Sequence, residues 1–299
     1  MPTPNTRPTP FGRLLQVTLA VSALALSLGA QAQQTGADPT TAILEAPAGP
    51  LAVSNVKVAT PSGFGSGTVY YPTTGKGPYG LVSVTPGFVE GEWAINWLGP
   101  LLASHGFVVV TIGTTTILDA PTSRAKQMMA ALKQVTALSA TKTSPFAGKV
   151  DPSRLAVMGH SMGGGGSLDA ARDNPNLKAA IPLAPWETTK DYSKITVPTL
   201  IVSCDSDVIA PVADHANKFY DSLTPTLTKA LVEMKGAGHF CTNGTAIPAT
   251  RTLVGKYSIS WLKRFVDGDT RYSPFLCGAP HQADLAGSLI STYKGNCPY

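Results

Sequence analysis

Residues 159–163 read Gly-His-Ser-Met-Gly and form a G-x-S-x-G motif. The apolar run 154–158 before them predicts a buried strand, and residues 167–172 after them predict a helix. Between a strand and a helix, this motif forms a sharp turn that holds the serine side chain clear of the sheet. The helix that follows points its N-terminal amides at the same place, where they can stabilise developing negative charge. The motif therefore predicts Ser161 as the nucleophile of a serine hydrolase.

The N-terminus has the pattern of an export signal. Two arginines precede an apolar run over residues 14–28, and Ala-Gln-Ala follows at 30–32. A basic start, an apolar stretch and a small-x-small site are typical of a cleaved secretory signal peptide. The run is too short for a stable membrane span. We therefore expect residues 1–32 to be removed and the mature chain to be secreted. The periplasm and the extracellular space both remain open as destinations.

Composition excludes several other classes of protein. Hydrophobic residues make up 43% and charged residues 14% of the chain, enough for a sizeable core. Loss of two arginines with the leader lowers the formal net charge from +5 to +3. No basic run or basic stripe interleaved with aromatics occurs, so a nucleic-acid partner is not expected. We expect a monomer without a cofactor.

The remainder of the chain alternates strands and helices after an antiparallel start, which predicts one doubly wound α/β domain over residues 33–299. The predicted strands are 53–59, 68–71, 80–84, 107–112, 154–158, 178–181, 197–203 and, as the last strand, 227–234. The predicted helices are 93–105, 123–138, 167–172, 212–223 and 253–265. Only thirteen residues, 184–196, lie where many hydrolases of this architecture insert a lid. We therefore expect an open site.

A serine nucleophile needs a histidine base, and five histidines are available. His105 ends a predicted helix and His281 lies in a tail expected to be irregular. His160 is inside the motif, where it can line the cleft but cannot face the serine as a base. His215 starts a helix. His239 follows the last predicted strand through a flexible Gly-Ala-Gly segment, which predicts it as the base.

The acid that orients this histidine should end the strand 197–203, because the order along the chain in this fold is serine, acid, histidine. Asp205 and Asp207 both qualify by position. They lie on opposite sides of an extended chain, so we expect only one to face His239. The pattern alone does not choose between them.

Four cysteines in an exported chain predict two disulfides, with three possible pairings. Cys204 lies just before the candidate acids and Cys241 just after His239, so a bond between acid and base would bring these two within bridging distance. Cys277 and Cys297 would then pair. A metal site is the weaker alternative, because no pair has C-x-x-C spacing.

The oxyanion hole of such an enzyme needs two backbone amides. One should come from Met162, directly after the nucleophile, and the other from the loop after an earlier strand. Phe88 is placed for this role, because it follows the predicted strand 80–84.

Nine segments spread over the mature chain resemble bacterial cutinase-like polyester hydrolases, including the poly(ethylene terephthalate) hydrolases. They are 66–72, 85–88, 103–107, 159–167, 184–186, 207–211, 238–239, 261–265 and 269–272. The resemblance implies a lidless α/β-hydrolase fold, with Ser161 as nucleophile, Asp207 rather than Asp205 as acid, and His239 as base. It implies the Phe88 and Met162 amides for the oxyanion.

The resemblance also implies the residues that contact substrate. Trp186 would form an aromatic wall for an acyl unit, and the remaining contacts would come from the cleft residues Phe88, His160, Ile209, His215 and Phe240. Relatives best adapted to aromatic polyesters have Trp, Ser and Ser where this chain has His160, His215 and Phe240. We therefore expect a narrower cleft and a more restricted Trp186.

These observations predict a secreted serine hydrolase that cleaves polyesters through an acyl-enzyme. Soluble short-chain esters and triglycerides are alternative substrates. An inert exported binding protein with the same fold is a different class of answer, which the complete set of Ser161, Asp207 and His239 disfavours. Peptidase activity is less expected, because no extra domain restricts access of peptides.

Overall fold

Nine strands form one mixed sheet in the computed structural model, which describes residues 1–5, 34 and 36–299. The spatial order is β1-β2-β4-β3-β5-β6-β7-β8-β9, and the strands from β4 to β8 run parallel. The strands are β1 Val53–Lys57, β2 Ser66–Pro72, β3 Tyr79–Thr85, β4 Phe107–Gly113, β5 Val150–His160, β6 Ala179–Leu183, β7 Thr199–Cys204, β8 Lys229–Met234 and β9 Ile290–Gly295.

Side chains alternate along each buried strand, so both faces of the sheet carry apolar residues. Helices cover both faces. In β5, Ala156 and Met158 face one core and Val157 faces the other. The first core packs against α2 and α6, and the second against α3, α4 and α5. The helices are α1 Thr41–Glu45, α2 Leu98–Ser104, α3 Pro121–Ser139, α4 Met162–Asp173, α5 Ala216–Ser222, α6 Pro248–Phe265, α7 Pro274–Cys277 and α8 Ala279–Ala286.

The chain divides into two units, Met1–Gln31 and Ala32–Tyr299, and all these elements belong to the second. The predicted doubly wound α/β fold is confirmed for this unit. The apolar run and cleavage site of the predicted leader lie outside the described residues. Within the described residues, no helix has the length and apolar character needed to cross a membrane.

The predicted helix over residues 93–105 is wrong in its first half. The structure has a short 3-10 helix at Glu92–Ala94, and α2 begins only at Leu98. Pro100 explains the break, because a proline has no N–H to bond to the residue four positions earlier and fits only in the first turn of a helix.

The prediction of an irregular tail after residue 265 is also wrong. The tail forms α7 and α8, followed by β9, which pairs antiparallel with β8 at the edge of the sheet. Only Ile290 of β9 is buried, so the strand lacks the apolar run that marks the central strands. His281 lies buried in α8, where its Nδ1 is 2.6 Å from the Tyr257 hydroxyl.

Candidate active site

Ser161 lies in the turn between β5 and α4 with a strained backbone, φ 56° and ψ −119°. Small residues are required around it, because a Cβ at Gly159 would come within 2.3 Å of the Gly163 carbonyl oxygen. A Cβ at Gly163 would come equally close to the Thr85 carbonyl oxygen at the end of β3. The turn therefore packs tightly against the carboxyl edge of the sheet, as the motif predicts.

The structure brings three predicted side chains from separate loops together at this edge. His239 Nε2 lies 2.8 Å from Ser161 Oγ, and His239 Nδ1 lies 2.7 Å from Asp207 Oδ2. All three residues are buried. Asp205, the alternative acid, is exposed, and its carboxylate accepts a hydrogen bond from Ser206.

The Asp207 carboxylate is held in its ionised form. Burial raises its pKa, but hydrogen bonds from His239 and from the N–H groups of Ile209 and Ala210 outweigh this, and the pKa lies below its ordinary value. An ionised acid at Nδ1 fixes the histidine tautomer that leaves Nε2 free to accept the serine proton.

The amides of Phe88 and Met162 belong to backbone next to the nucleophile: Met162 directly follows Ser161, and a Cβ at Gly87, the residue before Phe88, would come within 2.8 Å of Ser161 Cβ. Met162 is the first residue of α4, so its N–H has no carbonyl partner within the helix. Neither amide donates to a protein acceptor within residues 36–299. Two free N–H groups beside a serine nucleophile can stabilise the charge of a tetrahedral intermediate.

Three apolar side chains close in sequence to the catalytic residues are exposed. Phe88, Ile209 and Phe240 are 45%, 50% and 50% exposed. Trp186 is half-buried, and its backbone N–H donates to the Ser161 carbonyl oxygen. Residues 184–196 form neither helix nor strand, so they do not fold as a separate lid domain.

His215 packs on the aromatic wall. Its ring stacks on Trp186 with centroids 5.8 Å apart and an interplanar angle of 28°. Burial, together with the nearby Lys190 ammonium, holds the pKa of His215 below its ordinary value. The uncharged ring therefore lies nearly parallel to the Trp186 indole, where it occupies space next to one face of that ring.

His160 is not in the cleft, contrary to prediction. Its side chain is fully buried, with Nδ1 2.7 Å from Glu90 Oε2 and Nε2 3.1 Å from the His239 carbonyl oxygen. Successive side chains alternate across a strand, so the residue before Ser161 points beneath the site. Phe240 covers it from outside, with ring centroids 6.1 Å apart.

Glu90 and Arg124 support the site and were not predicted. Arg124 is fully buried and donates to the carbonyl oxygens of Pro86, Ile117 and Asp119 at 2.8–3.0 Å. Burial lowers the pKa of Arg124 to about 10. The sequence signal in this region is the segment 89–93, Val-Glu-Gly-Glu-Trp, which places two glutamates directly after Phe88.

Both predicted disulfides are present. Cys204–Cys241 joins the end of β7 to the loop that carries the base, with the Cα atoms 6.2 Å apart. Cys277–Cys297 ties the C-terminal segment to α7. Among the described residues, no group of three or more His, Cys, Asp or Glu side chains is arranged to hold a metal ion.

Comparison with known proteins identifies the family. The PET hydrolase-like family model matches residues 28–298. The chain is 50% identical to a cutinase of Thermobifida fusca (strain YX), over 97% of this chain and 96% of the relative. It is 51% identical to cutinase 1 of Thermobifida cellulosilytica, over 89% and 98%.

A third relative is bis(hydroxyethyl) terephthalate hydrolase of Streptomyces coelicolor (strain ATCC BAA-471 / A3(2) / M145), which is 46% identical over 96% of this chain and 92% of its own length. Similarity of this extent covers every element that forms the site. The chain belongs to the PET hydrolase-like family of serine carboxylic-ester hydrolases.

Proposed function

We propose that this protein cleaves polyesters at its open, apolar-rimmed site, with Ser161 as nucleophile, His239 as general base and Asp207 as the acid that orients it. The observation that carries the proposal is the unbroken hydrogen-bonded series from Asp207 Oδ2 through the imidazole to Ser161 Oγ, at 2.7 and 2.8 Å. Relatives named as cutinases and as a terephthalate-ester hydrolase support the substrate class.

In acylation, Ser161 Oγ attacks the ester carbonyl carbon and its proton passes to His239 Nε2. The carbonyl oxygen becomes an oxyanion, which accepts hydrogen bonds from the Phe88 and Met162 amides. The intermediate collapses when His239 returns the proton to the alkoxide, and the alcohol leaves. Water then attacks the acyl-enzyme with His239 as base, which frees the carboxylic acid and restores the serine.

The surface around the serine favours a solid or chain-like substrate over a small one. The exposed apolar side chains Phe88, Ile209 and Phe240 offer contact area that a short soluble ester would not use. Approach of an insoluble polymer is supported by residues 184–196, which form no helix or strand that could serve as a lid domain. Because His215 stacks on Trp186, we expect flexible aliphatic polyesters to be cleaved faster than stiff aromatic ones.

A fluorophosphonate probe tests the chemistry. Wild type should be labelled, and Ser161→Ala should not. Ser206→Ala is the matched control, since Ser206 is an exposed serine near the acid loop, and it should label like wild type. Labelling of Ser161→Ala at the wild-type rate would mean that another serine is the nucleophile.

Product release tests the substrate. Wild type is compared on a nitrophenyl butyrate, tributyrin, an amorphous aliphatic polyester film and an amorphous poly(ethylene terephthalate) film. Soluble acid and alcohol products should appear from the aliphatic film and, more slowly, from the aromatic one. Rapid turnover of the two small esters with no product from either film would contradict the polyester proposal and favour a general esterase or lipase.

We also propose that the mature protein begins near Gln33 and is exported as a monomer. The leader pattern in residues 1–32 supports export. N-terminal sequencing of protein recovered from the culture medium and from the periplasm would locate the cleavage site and the compartment. Light scattering of the purified protein would give the oligomeric state, and a mass of two chains would contradict the monomer.

A further inference from the structure

Glu90 connects three segments of the active site with one carboxylate. It is buried two residues after Phe88, and its Oε2 accepts a hydrogen bond from the Gly87 N–H at 2.7 Å. The same oxygen lies 2.7 Å from His160 Nδ1, next to the nucleophile. Oε1 accepts from Asn243 Nδ2 at 3.0 Å, in the loop that carries the catalytic base. The oxyanion loop, the nucleophile turn and the base loop therefore share one anchor.

The anchor holds a strained turn. Val89, between Phe88 and Glu90, has φ 53°. A β-branched residue in this region is a backbone outlier that persists only when its surroundings hold it. Two contacts do so here, the Val89 N–H bond to the Ile117 carbonyl oxygen at 2.8 Å and the buried carboxylate that follows. The position of the Phe88 amide therefore depends on Glu90.

The hydrogen-bond partners also determine the charge of the pair. The His239 carbonyl oxygen can only accept, so His160 Nε2 must donate to it. Asn243 Oδ1 accepts from the Thr245 N–H, so Asn243 Nδ2 faces Glu90 as a donor. Both carboxylate oxygens are thus acceptors before His160 is considered, which favours a proton on Nδ1 as well.

The electrostatic surroundings of Glu90 agree with this assignment. Burial raises the pKa of the carboxyl group, but the hydrogen bonds and charge of His160, with those from Asn243 and Gly87, outweigh it and leave the pKa below its ordinary value. The carboxylate is therefore ionised.

We propose that Glu90 and His160 form a buried carboxylate–imidazolium pair that positions the oxyanion amide of Phe88 and the backbone of His239 relative to Ser161. Both are positioning residues, since neither touches the reacting atoms. The inference rests on the proposed function of these three groups. It gives His160 a role beneath the site in place of a role in substrate contact.

Replacement of Glu90 by glutamine tests the pair with little change in shape. If the glutamine oxygen takes the place of Oε2, the glutamine NH₂ group faces the NH₂ group of Asn243. The Asn243 amide cannot turn over, because its oxygen accepts hydrogen bonds from Thr245. We expect kcat on a soluble nitrophenyl ester to fall about tenfold with KM within about twofold, because a displaced donor costs less than the hundred- to thousandfold loss of a deleted one.

A second substitution should rescue the first. In Glu90→Gln/Asn243→Asp, the glutamine NH₂ group donates to the new carboxylate, and all donors regain acceptors. Asn243→Asp alone places two carboxylates about 3 Å apart and should lower kcat as well. We expect the double variant to recover most of the kcat lost by Glu90→Gln. A double variant no better than the worse single variant would overturn the proposal.

Glu92→Gln is the matched control. This carboxylate lies two residues further on and accepts a hydrogen bond from the Thr111 hydroxyl in β4. Its kcat should equal that of wild type. The proposal is also overturned if Glu90→Gln matches wild type in kcat. If Ser161→Ala still labels with the probe, the proposed function fails instead, so the two failures are distinguishable.

The charge of His160 can be read in wild type without any effect on folding. In protein labelled with ¹⁵N-histidine, both ring nitrogens of His160 should give resonances of protonated nitrogen at pH 7. The His160→Asn spectrum assigns them, and in Glu90→Gln one of the two should shift to the unprotonated range. An unprotonated ring nitrogen at His160 in wild type would overturn the imidazolium.

Discussion

Removal of the Cys204–Cys241 bridge should lower both stability and catalysis, whereas removal of Cys277–Cys297 should lower stability alone. The sequence separations are 37 and 20 residues. In the chain-entropy model, these separations correspond to stabilisation of about 3.8 and about 3.3 kcal/mol, a difference of only about 0.5 kcal/mol. Stability alone should therefore hardly distinguish the two bridges.

Position distinguishes them. Cys204 lies three residues before Asp207 and Cys241 two after His239, so the first bridge fixes the distance between acid and base. The second bridge is at the C-terminal segment, and its Cys297 is exposed. Misplacement of a catalytic group by about 1 Å can cost about a hundredfold in rate. We expect kcat to fall at least about tenfold only when the first bridge is removed.

The assay compares two paired alanine variants, Cys204→Ala/Cys241→Ala and Cys277→Ala/Cys297→Ala. Each should lower Tm by roughly 7–15 °C, taking about 2–4 °C per kcal/mol for a domain of this size. The value of kcat on a soluble ester is measured well below both transitions. Equal losses of kcat in the two variants, or full kcat without the first bridge, would refute the positional argument.

Three further predictions follow from single residues. Because the pKa of Asp207 is depressed in the folded protein, its contribution to stability is present above about pH 4 and is lost as pH falls through the folded pKa. The difference in unfolding free energy between wild type and Asp207→Asn, measured by urea titration, should therefore shrink from pH 6 to pH 2.5. Arg124→Lys should lower the unfolding free energy by roughly 2–4 kcal/mol in the same assay, because an ammonium cannot reach all three carbonyl oxygens that the guanidinium contacts. An unchanged unfolding free energy would contradict this account. Gly163→Ala should cost more than about 4 kcal/mol or prevent folding, since its Cβ would meet the Thr85 carbonyl oxygen at 2.3 Å, whereas Gly238→Ala, whose Cβ has only a contact at 3.9 Å, should cost less than about 1 kcal/mol.

Local rules account for the parts of the site that could be predicted. The turn around Ser161 is required by its two flanking glycines and by the strand and helix on either side, all within a few residues of each other. The parallel strands β3 and β4 are buried along their whole length, so both read as predominantly apolar runs. The base and the acid were found from the order of loops that return to one sheet edge. The choice of Asp207 over Asp205 needed the resemblance to the family.

Weak or interrupted patterns account for the errors in the fold. The edge strand β9 is held by its pairing with β8, and only one of its side chains is buried, so its sequence carries little signal. The start of α2 depends on Pro100, which must lie in the first turn of the helix. The helix therefore cannot extend back to residue 93, although the spacing of apolar residues favours it there.

The amino-acid sequence by itself determined the α/β architecture, the nucleophile turn and the order of the catalytic groups, because each follows from contacts between near neighbours or from the topology of a parallel sheet. Only the tertiary structure decided what lies beneath the site. Glu90 meets His160 from 70 residues away and Asn243 from 153 residues away. Contacts between such distant residues depend on how three separate loops approach one edge of the sheet, and no local pattern in the sequence records that approach.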